Sequence, residues 1–226
     1  MLGSDFIRRN TNGWIVFLSR TKASALLPAP FAKDRSKLED RSGKLKRLVE
    51  MLEQVLGNNE KALIFTQYAT MAEMLSEFLS ARFRVLANSL TGESTTDERD
   101  NLVETFQTDS KSPILILTPK AGGVGLNLTA ATHVFHFDRW WNPAREDQAT
   151  DRAYRIGQTK SVNVHKFVCV GTLEERIAEM LDEKRSLSTE LLSDASDDSL
   201  ATYLCKLGDD ERRSFLQLDD EAVCDD

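Results

Sequence analysis

Cysteine and long apolar runs are both scarce in this chain of 226 residues. Its three cysteines are odd in number and form no C-x-x-C pair, which argues against a disulfide framework and against a cysteine-based zinc site. No run of eighteen apolar residues occurs, so we expect no spanning helix and no membrane partner. The opening MLGSDFIRRN lacks the basic-then-apolar order of a secretory signal, and a cytoplasmic location is therefore expected.

Histidine is equally rare, and the usual loop that grips a triphosphate is missing. His133 and His136 stand three apart in the apolar run THVFHF, where a strand would point them to opposite faces, so we expect no metal site. No G-x-x-x-x-G-K-[ST] pattern occurs, because the Gly-Lys pair at 43–44 is followed by leucine. The acid pair in DDEAV (219–223) lacks a preceding apolar strand. We therefore expect that this chain alone does not hold a triphosphate and its magnesium ion.

Negative charge is concentrated at one end of the chain. The formal charge is −7, but from residue 194 onward eleven acidic residues stand against three basic ones, so the preceding residues carry 26 basic and 25 acidic side chains. The total therefore does not exclude a nucleic-acid partner. We expect residues 191–226 to form an acidic extension with one or two short helices and a solvated end.

Short apolar runs alternate with amphipathic stretches from residue 42 onward. Buried strands are predicted at 61–66, 84–88, 113–118, 132–137 and 161–170, and GWIVFLS near the N-terminus is a further candidate. The first helix is predicted from an apolar stripe of Leu45, Leu48, Val49, Leu52 and Leu56. Alternating strands and helices imply right-handed crossovers. The predicted class is α/β, with a mainly parallel sheet flanked by helices.

Capping signals predict where four other helices begin. A threonine followed three residues later by glutamate predicts three of these starts, at Thr70 with Glu73, Thr95 with Glu98, and Thr172 with Glu175. Asn142 and Pro143 supply a cap and a first-turn proline for a helix that is predicted to run to about residue 155.

The loops that follow the predicted strands are the candidate site, because ligands of an open parallel sheet bind at the carboxyl ends of its strands. These loops are 66–68, 118–127 and 138–142, and all are polar or glycine-rich. The turn AGGVGLN (121–127) lets backbone N–H groups approach a phosphate, although a tight strand-to-helix turn also needs glycine. It does not match the dinucleotide-binding fingerprint.

The segment DQATDRAYRIGQ (147–158) places Gln148, Arg152 and Arg155 at spacings of four and three, on one face of a helix. Arginine offers a planar, permanently charged fork that suits phosphate oxygens. Asp151 stands four residues before Arg155 and is placed to pair with it instead. Spacing alone leaves a phosphate site and a salt-bridged, solvated helix equally open.

Four stretches together resemble the C-terminal RecA-like lobe of Swi/Snf-type ATPases, which are DNA-dependent motors of helicase superfamily two. In family order and within residues 41–187 they are KALIFTQY, LTGESTTDERDNLVETFQ, ILTPKAGGVGLNLTAATHVFHFDRWWNPAREDQATDRAYRIGQ and VNVHKFVCVGTLEERI. The RWW form is similar to bacterial and archaeal members. The resemblance implies a poorly matched segment at 1–35, a RecA-like lobe at 36–190, and the acidic extension at 191–226.

The resemblance implies a role for each matched residue. Catalytic positions are implied for Gln148, Arg152 and Arg155, with the two arginines acting as fingers on the phosphate transferred from ATP. Nucleotide contacts are implied for the same two arginines and for Gly125 and Asn127. DNA contacts are implied for Thr66, Gln67, Thr118, Lys120, Gly122 and Gly123.

The implied function is the second half of a DNA-translocating ATPase. Its partners would be double-stranded DNA and an N-terminal RecA-like lobe, in cis or in trans, which would hold most of ATP and its Mg²⁺; alone the chain is expected to be inactive. In a prokaryote the expected location is the nucleoid. The alternative is a non-catalytic module that binds DNA or protein; a Rossmann-type nucleotide enzyme is less favoured, because it leaves residues 147–158 without a use. Two positions depart from the family pattern. The family usually has arginine where this chain has Lys120, and it has Cys-x-His-Pro where this chain has KASALLPAPF.

Overall fold

A computed structural model describes residues 6–9, 15–19, 42–118, 121, 125–140, 143–155, 157–169, 172–187 and 208. The strands in these ranges are β1 (Phe6–Arg9), β2 (Ile15–Ser19), β3 (Ala62–Phe65), β4 (Ala87–Leu90), β5 (Ile114–Leu117), β6 (His133–His136) and β7 (Asn163–Cys169). The helices are α1 (Gly43–Gly57), α2 (Ala69–Phe83), α3 (Thr96–Thr108), α4 (Pro143–Thr150) and α5 (Leu173–Leu187). Among these residues no helix is both long and apolar enough to cross a membrane.

The strands form one sheet in the order β1-β2-β7-β6-β3-β5-β4. All neighbouring strands are parallel except β1 and β2. The predicted α/β class with a mainly parallel sheet is therefore confirmed. The segment 1–35, which the resemblance set apart, contributes two strands at the edge beyond β7.

The predicted strands are present, but one is displaced along the sequence. The apolar run at 84–88 predicted a strand there, whereas β4 spans Ala87–Leu90. The cause is local, because Arg84 takes a left-handed conformation (φ 56°) and caps the end of α2 through its N–H to the Ser80 carbonyl. The chain is thus still leaving a helix where the strand was expected to begin.

Two apolar cores lie on opposite faces of the sheet. One joins α1 and α2 to alternate residues of the strands, and it contains the predicted stripe of α1, of which Leu56 is only partly buried. The other joins α3 and the residues around α4 to the opposite strand residues. Strand β3 shows the alternation directly, since Ile64 lies in the first core and Leu63 and Phe65 in the second. Helices therefore cover both faces, as parallel sheets require.

The capping predictions have mixed outcomes. The capping box of α3 is confirmed, with Thr95 N donating to Glu98 Oε2 at 2.9 Å and Glu98 N to Thr95 Oγ1 at 3.3 Å. The prediction for α2 is wrong, because that helix is capped by Tyr68 and already includes Thr70. For α5, Thr172 Oγ1 accepts from Glu174 N at 3.3 Å. The predicted cap at Asn142 lies outside the described residues.

Candidate functional site

The loops after β3 and β6 are joined at the carboxyl edge of the sheet. Asp138 Oδ2 accepts from Thr66 Oγ1 at 2.5 Å and from Gln67 N at 3.1 Å, and Gln67 Nε2 donates to the Arg139 carbonyl at 2.7 Å. Burial raises the pKa of Asp138, and the charge of Lys44 and the Thr66 hydrogen bond partly offset this. Thr66 is fully buried and donates inward, whereas Gln67 is exposed. Of this pair, only Gln67 presents its side chain to solvent.

Glu146 fixes the first turn of α4 to the sheet. Its buried carboxylate accepts from Arg139 Nε at 2.9 Å, from Trp140 N at 3.0 Å and from Lys166 Nζ at 2.6 Å. Arg139 and Lys166 are themselves buried. Burial alone would raise the pKa of Glu146, but the two cations hold it well below its usual range. One carboxylate thus ties α4 both to the loop after β6 and to strand β7.

Apolar contacts contribute little to the placement of α4. In the described part of this region, the buried apolar side chains are those of Ala149 and, just beyond the helix, Ala153. Burying one methyl group stabilises by ~0.8 kcal/mol, whereas removing one partner of a buried ion pair costs ~3–5 kcal/mol. A second polar contact joins His136 Nε2 and Thr150 Oγ1 at 3.0 Å. The position of α4 therefore depends mainly on polar contacts.

The two arginines lie beyond the end of α4 and not on its face. The sequence predicted a helix to about residue 155, but α4 ends at Thr150, so that boundary was wrong. Arg152 N and Ala153 N donate to carbonyls three residues earlier, at 3.4 and 3.0 Å, as in a tightening turn. The Arg152 carbonyl accepts from Leu128 N at 3.0 Å. A tertiary hydrogen bond thus occupies a carbonyl that a longer helix would need.

The loop of residues 125–131 holds the arginines from the other side. Arg155 Nη1 donates to the Gly125 carbonyl at 2.6 Å, close to the Leu128–Arg152 bond. Three residues further on, Gln158 Nε2 donates to the carbonyls of Thr129 and Ala131, each at 2.9 Å. Residues 125–131 and the arginine-bearing segment, which were predicted independently, are therefore one structural unit.

Arg152 and Arg155 form a pair of neighbouring cations. Burial lowers the pKa of Arg152, and the nearby charge of Arg155 lowers it further, although arginine stays protonated. In the described part of the chain, the buried Nη1 of Arg152 has no hydrogen-bond partner. No ion pair joins Asp151 to Arg155 among those residues, so the salt-bridged alternative is not supported. A half-buried guanidinium with an unused donor is suited to an anion.

The other predicted site residues occupy different surroundings. Gln148 is exposed on α4, and Thr118 is buried at the end of β5. Asn127 is exposed, and its carbonyl accepts from Gln107 Nε2 at 2.7 Å. The predicted DNA contacts Lys120, Gly122 and Gly123 lie outside the described residues.

A second buried ion pair beside the site was not predicted. Lys44 Nζ donates to Glu174 Oε1 at 2.5 Å and to the Phe137 carbonyl at 2.9 Å. Burial alone would lower the pKa of Lys44, but Glu174 and more distant charges raise it overall. Glu174 Oε2 also accepts from Cys169 N at 3.0 Å, and burial raises the pKa of the Cys169 thiol to about 12. The sequence feature that could have indicated a buried lysine is the position of Lys44 beside the apolar stripe of α1.

The histidines of β6 behave as their spacing predicted. His133 stacks on Phe135 in one core, whereas His136 stacks on Phe65 in the other, so the two rings lie on opposite faces. Within the described ranges no group of three or more His, Cys, Asp or Glu residues is placed to hold a metal ion.

This chain is similar in sequence to a known family and to known proteins. Residues 43–157 match the family described as the helicase conserved C-terminal domain. The chain is 48% identical to YwqA of Bacillus subtilis over 177 residues, which are 77% of this chain and 19% of that protein. It is 37% identical to Helicase SWR1 of Saccharomyces cerevisiae over 174 residues, which are 77% of this chain and 11% of SWR1. The chain thus spans less than a fifth of the length of these relatives.

Solved structures agree with the sequence matches. The Sulfolobus solfataricus SWI2/SNF2 ATPase core in complex with dsDNA has a TM-score of 0.70 and 38% identity, covering 85% of this chain and 39% of that one. The C-terminal domain of the Sulfolobus solfataricus ATPase has a TM-score of 0.67 and 34% identity, covering 85% and 75%. Sequence and fold therefore point to the same group of proteins.

Proposed function

This chain belongs to the helicase conserved C-terminal domain family, as a Swi/Snf-type RecA-like lobe, and from that premise we propose that it is the second motor lobe of a DNA-translocating ATPase. One observation carries the proposal. Arg152 and Arg155 are both held against the loop of residues 125–131, with an unused buried donor on Arg152. Neither guanidinium has a carboxylate partner among the described residues, so both charges are available to an anion.

The proposed role of the two arginines is to neutralise charge on the phosphate that is transferred from ATP. Phosphoryl transfer is catalysed mainly by positioning and by electrostatic stabilisation, and an arginine finger is worth roughly 10³–10⁵ in rate. At ~1.4 kcal/mol per decade this is ~4–7 kcal/mol of barrier. An exposed salt bridge contributes ~1 kcal/mol or less. In an assembled enzyme, the contribution of Arg152 and Arg155 to catalysis would therefore exceed any contribution that they make to stability through surface ion pairs.

The first lobe, in cis or in trans, would hold most of ATP and its Mg²⁺. The residues of this chain would supply the remaining contacts to the nucleotide. Arg152 and Arg155 would contact the nucleotide together with the 125–127 stretch, and Gln148 would lie at the rim of the same site. On the DNA side, Gln67 would touch a phosphate, which its exposure supports, while buried Thr66 and Thr118 would position their loops. Contacts of this kind give weak sequence preference and strong salt dependence.

The proposal is tested by complementation. The 226-residue chain is mixed with a separately purified first lobe from the same genome, and phosphate release is measured with and without duplex DNA. We expect DNA-stimulated hydrolysis only in the mixture, and a fall of ~10³-fold or more for Arg152→Ala or Arg155→Ala. Arg145→Ala is the matched control, because Arg145 is exposed on α4, before the two arginines.

The alternative is a non-catalytic module that binds DNA or a protein. It would be favoured if the wild-type chain bound duplex DNA and yet gave no hydrolysis with the first lobe. Hydrolysis by the chain alone, above the level of its Arg152→Ala variant, would contradict the proposed division between two lobes.

A further inference from the structure

The buried contacts of Glu146 carry an inference about how the arginines are aimed. We propose that Glu146 is a positioning residue that sets the placement of Arg152 and Arg155 through α4. Only the catalytic consequence of this inference rests on the proposed function. Glu146 lies in the first turn of α4, six and nine residues before the two arginines, and is fully buried.

The contacts of Glu146 come from two separate parts of the chain, the loop after β6 and strand β7. Arg139 reaches it from the loop after β6, at 2.9 Å through Nε and 3.4 Å through Nη2, and Trp140 N adds a bond of 3.0 Å. Lys166 reaches it from β7 at 2.6 Å. Charge-assisted bonds from several directions restrict both the position and the rotation of the first turn of α4.

The rest of α4 transmits this restraint. Thr150 Oγ1 donates to the Glu146 carbonyl at 3.0 Å and also contacts His136, so the last residue of the helix is linked to its first turn and to β6. Beyond Thr150, the Arg152 carbonyl meets Leu128 N. The arginines are therefore held between α4 on one side and the loop of 125–131 on the other. The buried apolar contacts described there are two alanines, which are too small to hold α4 in place by themselves. A shift of the first turn would therefore displace the arginines.

Hydrogen exchange on the intact 226-residue chain separates positioning from general stabilisation. Glu146→Gln keeps the shape of the side chain and removes its charge, and Glu104→Gln, at an exposed site on α3, is the matched control. We expect exchange to rise ~10-fold or more at the amides of Leu128 and residues 152–155, while the amides of β3 stay within ~2-fold of the control. A uniform rise over the whole sheet, or no change at Leu128, would overturn the proposal.

A milder variant keeps the test decisive if Glu146→Gln does not fold. Glu146→Asp retains the charge but draws the carboxylate back by one methylene, so it cannot reach Arg139 and Lys166 equally well. We expect the same local pattern of exchange with a smaller rise. If the Asp variant exchanges like wild type at Leu128 and residues 152–155, the carboxylate does not set their position.

The catalytic consequence is measured in the mixture with the first lobe. A misplacement of ~1 Å can cost ~10²-fold in rate, so we expect Glu146→Gln to lower kcat by ~10-fold or more while the KM for ATP changes by less than ~3-fold. If the wild-type mixture does not hydrolyse ATP, the proposed function fails, and the exchange experiment still decides whether Glu146 positions the arginines. If Glu146→Gln raised exchange only at Leu128 and residues 152–155 but left kcat unchanged, Glu146 would have a structural role alone. That result would overturn the proposed effect of Glu146 on catalysis.

Discussion

The guanidinium of Arg155 and the carbonyl of Gly125 are joined by a hydrogen bond of 2.6 Å across thirty residues of sequence. Gly125 has a positive φ of 32°, a conformation that favours glycine. A β-carbon at Gly125 would lie 3.8 Å from both terminal nitrogens of Arg155, an ordinary contact distance. The backbone conformation, not lack of space, therefore accounts for glycine here.

We expect Gly125→Ala to destabilise the folded lobe by ~1 kcal/mol, because an L-residue in the left-handed region costs ~1–2 kcal/mol. The measurement is the free energy of unfolding in urea. Gly57→Ala is the control, since a β-carbon there meets nothing within 4 Å, and we expect it to be neutral or slightly stabilising. Equal effects of the two substitutions would contradict this account of Gly125.

The capping threonines give a second pair of matched variants. Thr95→Ala removes one half of the capping box of α3 and is expected to cost ~1 kcal/mol. Thr70→Ala removes an exposed threonine that the sequence also marked as a cap but that lies inside α2, and we expect a change within ~0.5 kcal/mol. Thermal unfolding of both variants measures the difference. A larger loss for Thr70→Ala would show that the cap of α2 is misassigned.

The buried Lys44–Glu174 pair should show strong coupling in a double-mutant cycle. Lys44→Met or Glu174→Gln alone leaves its partner buried and unpaired, and each is expected to cost ~3–5 kcal/mol. The double variant should cost less than the sum of the two, because no unpaired charge remains. The exposed Arg82–Glu53 pair, at 3.0 Å, is the control and should couple by ~1 kcal/mol or less. Additive losses at Lys44 and Glu174 would contradict the prediction.

His165 predicts a pH dependence of folding. Burial lowers the pKa of His165 from its usual 6.5 to about 3, and the nearby charges of His133 and Arg47 add smaller effects in the same direction. Between these two values the unfolded chain binds a proton at this site that the folded chain does not, so stability is lost as the pH falls from 6.5 toward 3. The slope from one such proton approaches ~1.4 kcal/mol per pH unit. His165→Phe, which keeps a ring beside Phe135, should flatten the unfolding curve in this window, and parallel curves for variant and wild type would exclude this origin.

The centre of the sheet was predictable from sequence because β3 and β5 are continuous apolar runs that are buried on both faces of the sheet. Strand β3 illustrates this, since all four of its residues are buried. The displacement of β4 was not predictable, because apolar residues at 84–88 do not reveal that Arg84 closes the preceding helix in a left-handed conformation.

The site was only partly predictable. Resemblance to the family selected Arg152 and Arg155, but helical periodicity gave the wrong reason for their proximity, because α4 ends at Thr150 and the Arg152 carbonyl accepts from Leu128 N of a distant loop. Glu146 was missed because a glutamate among charged neighbours is typical of a solvated helix face. Its burial depends on Lys166, twenty residues later in the sequence, and only the folded sheet brings the two together. The predicted domain boundaries and DNA contacts stay predictions.

The loop of 125–131 contacts Arg155 and Gln158 through peptide carbonyls, which every amino acid provides. A substitution of an exposed side chain of that loop, such as Asn127, would therefore leave these hydrogen bonds in place, so that an effect on ATP hydrolysis would report on the side chain itself. The surface chemistry of this loop and its hold on the arginine-bearing segment can thus be altered separately.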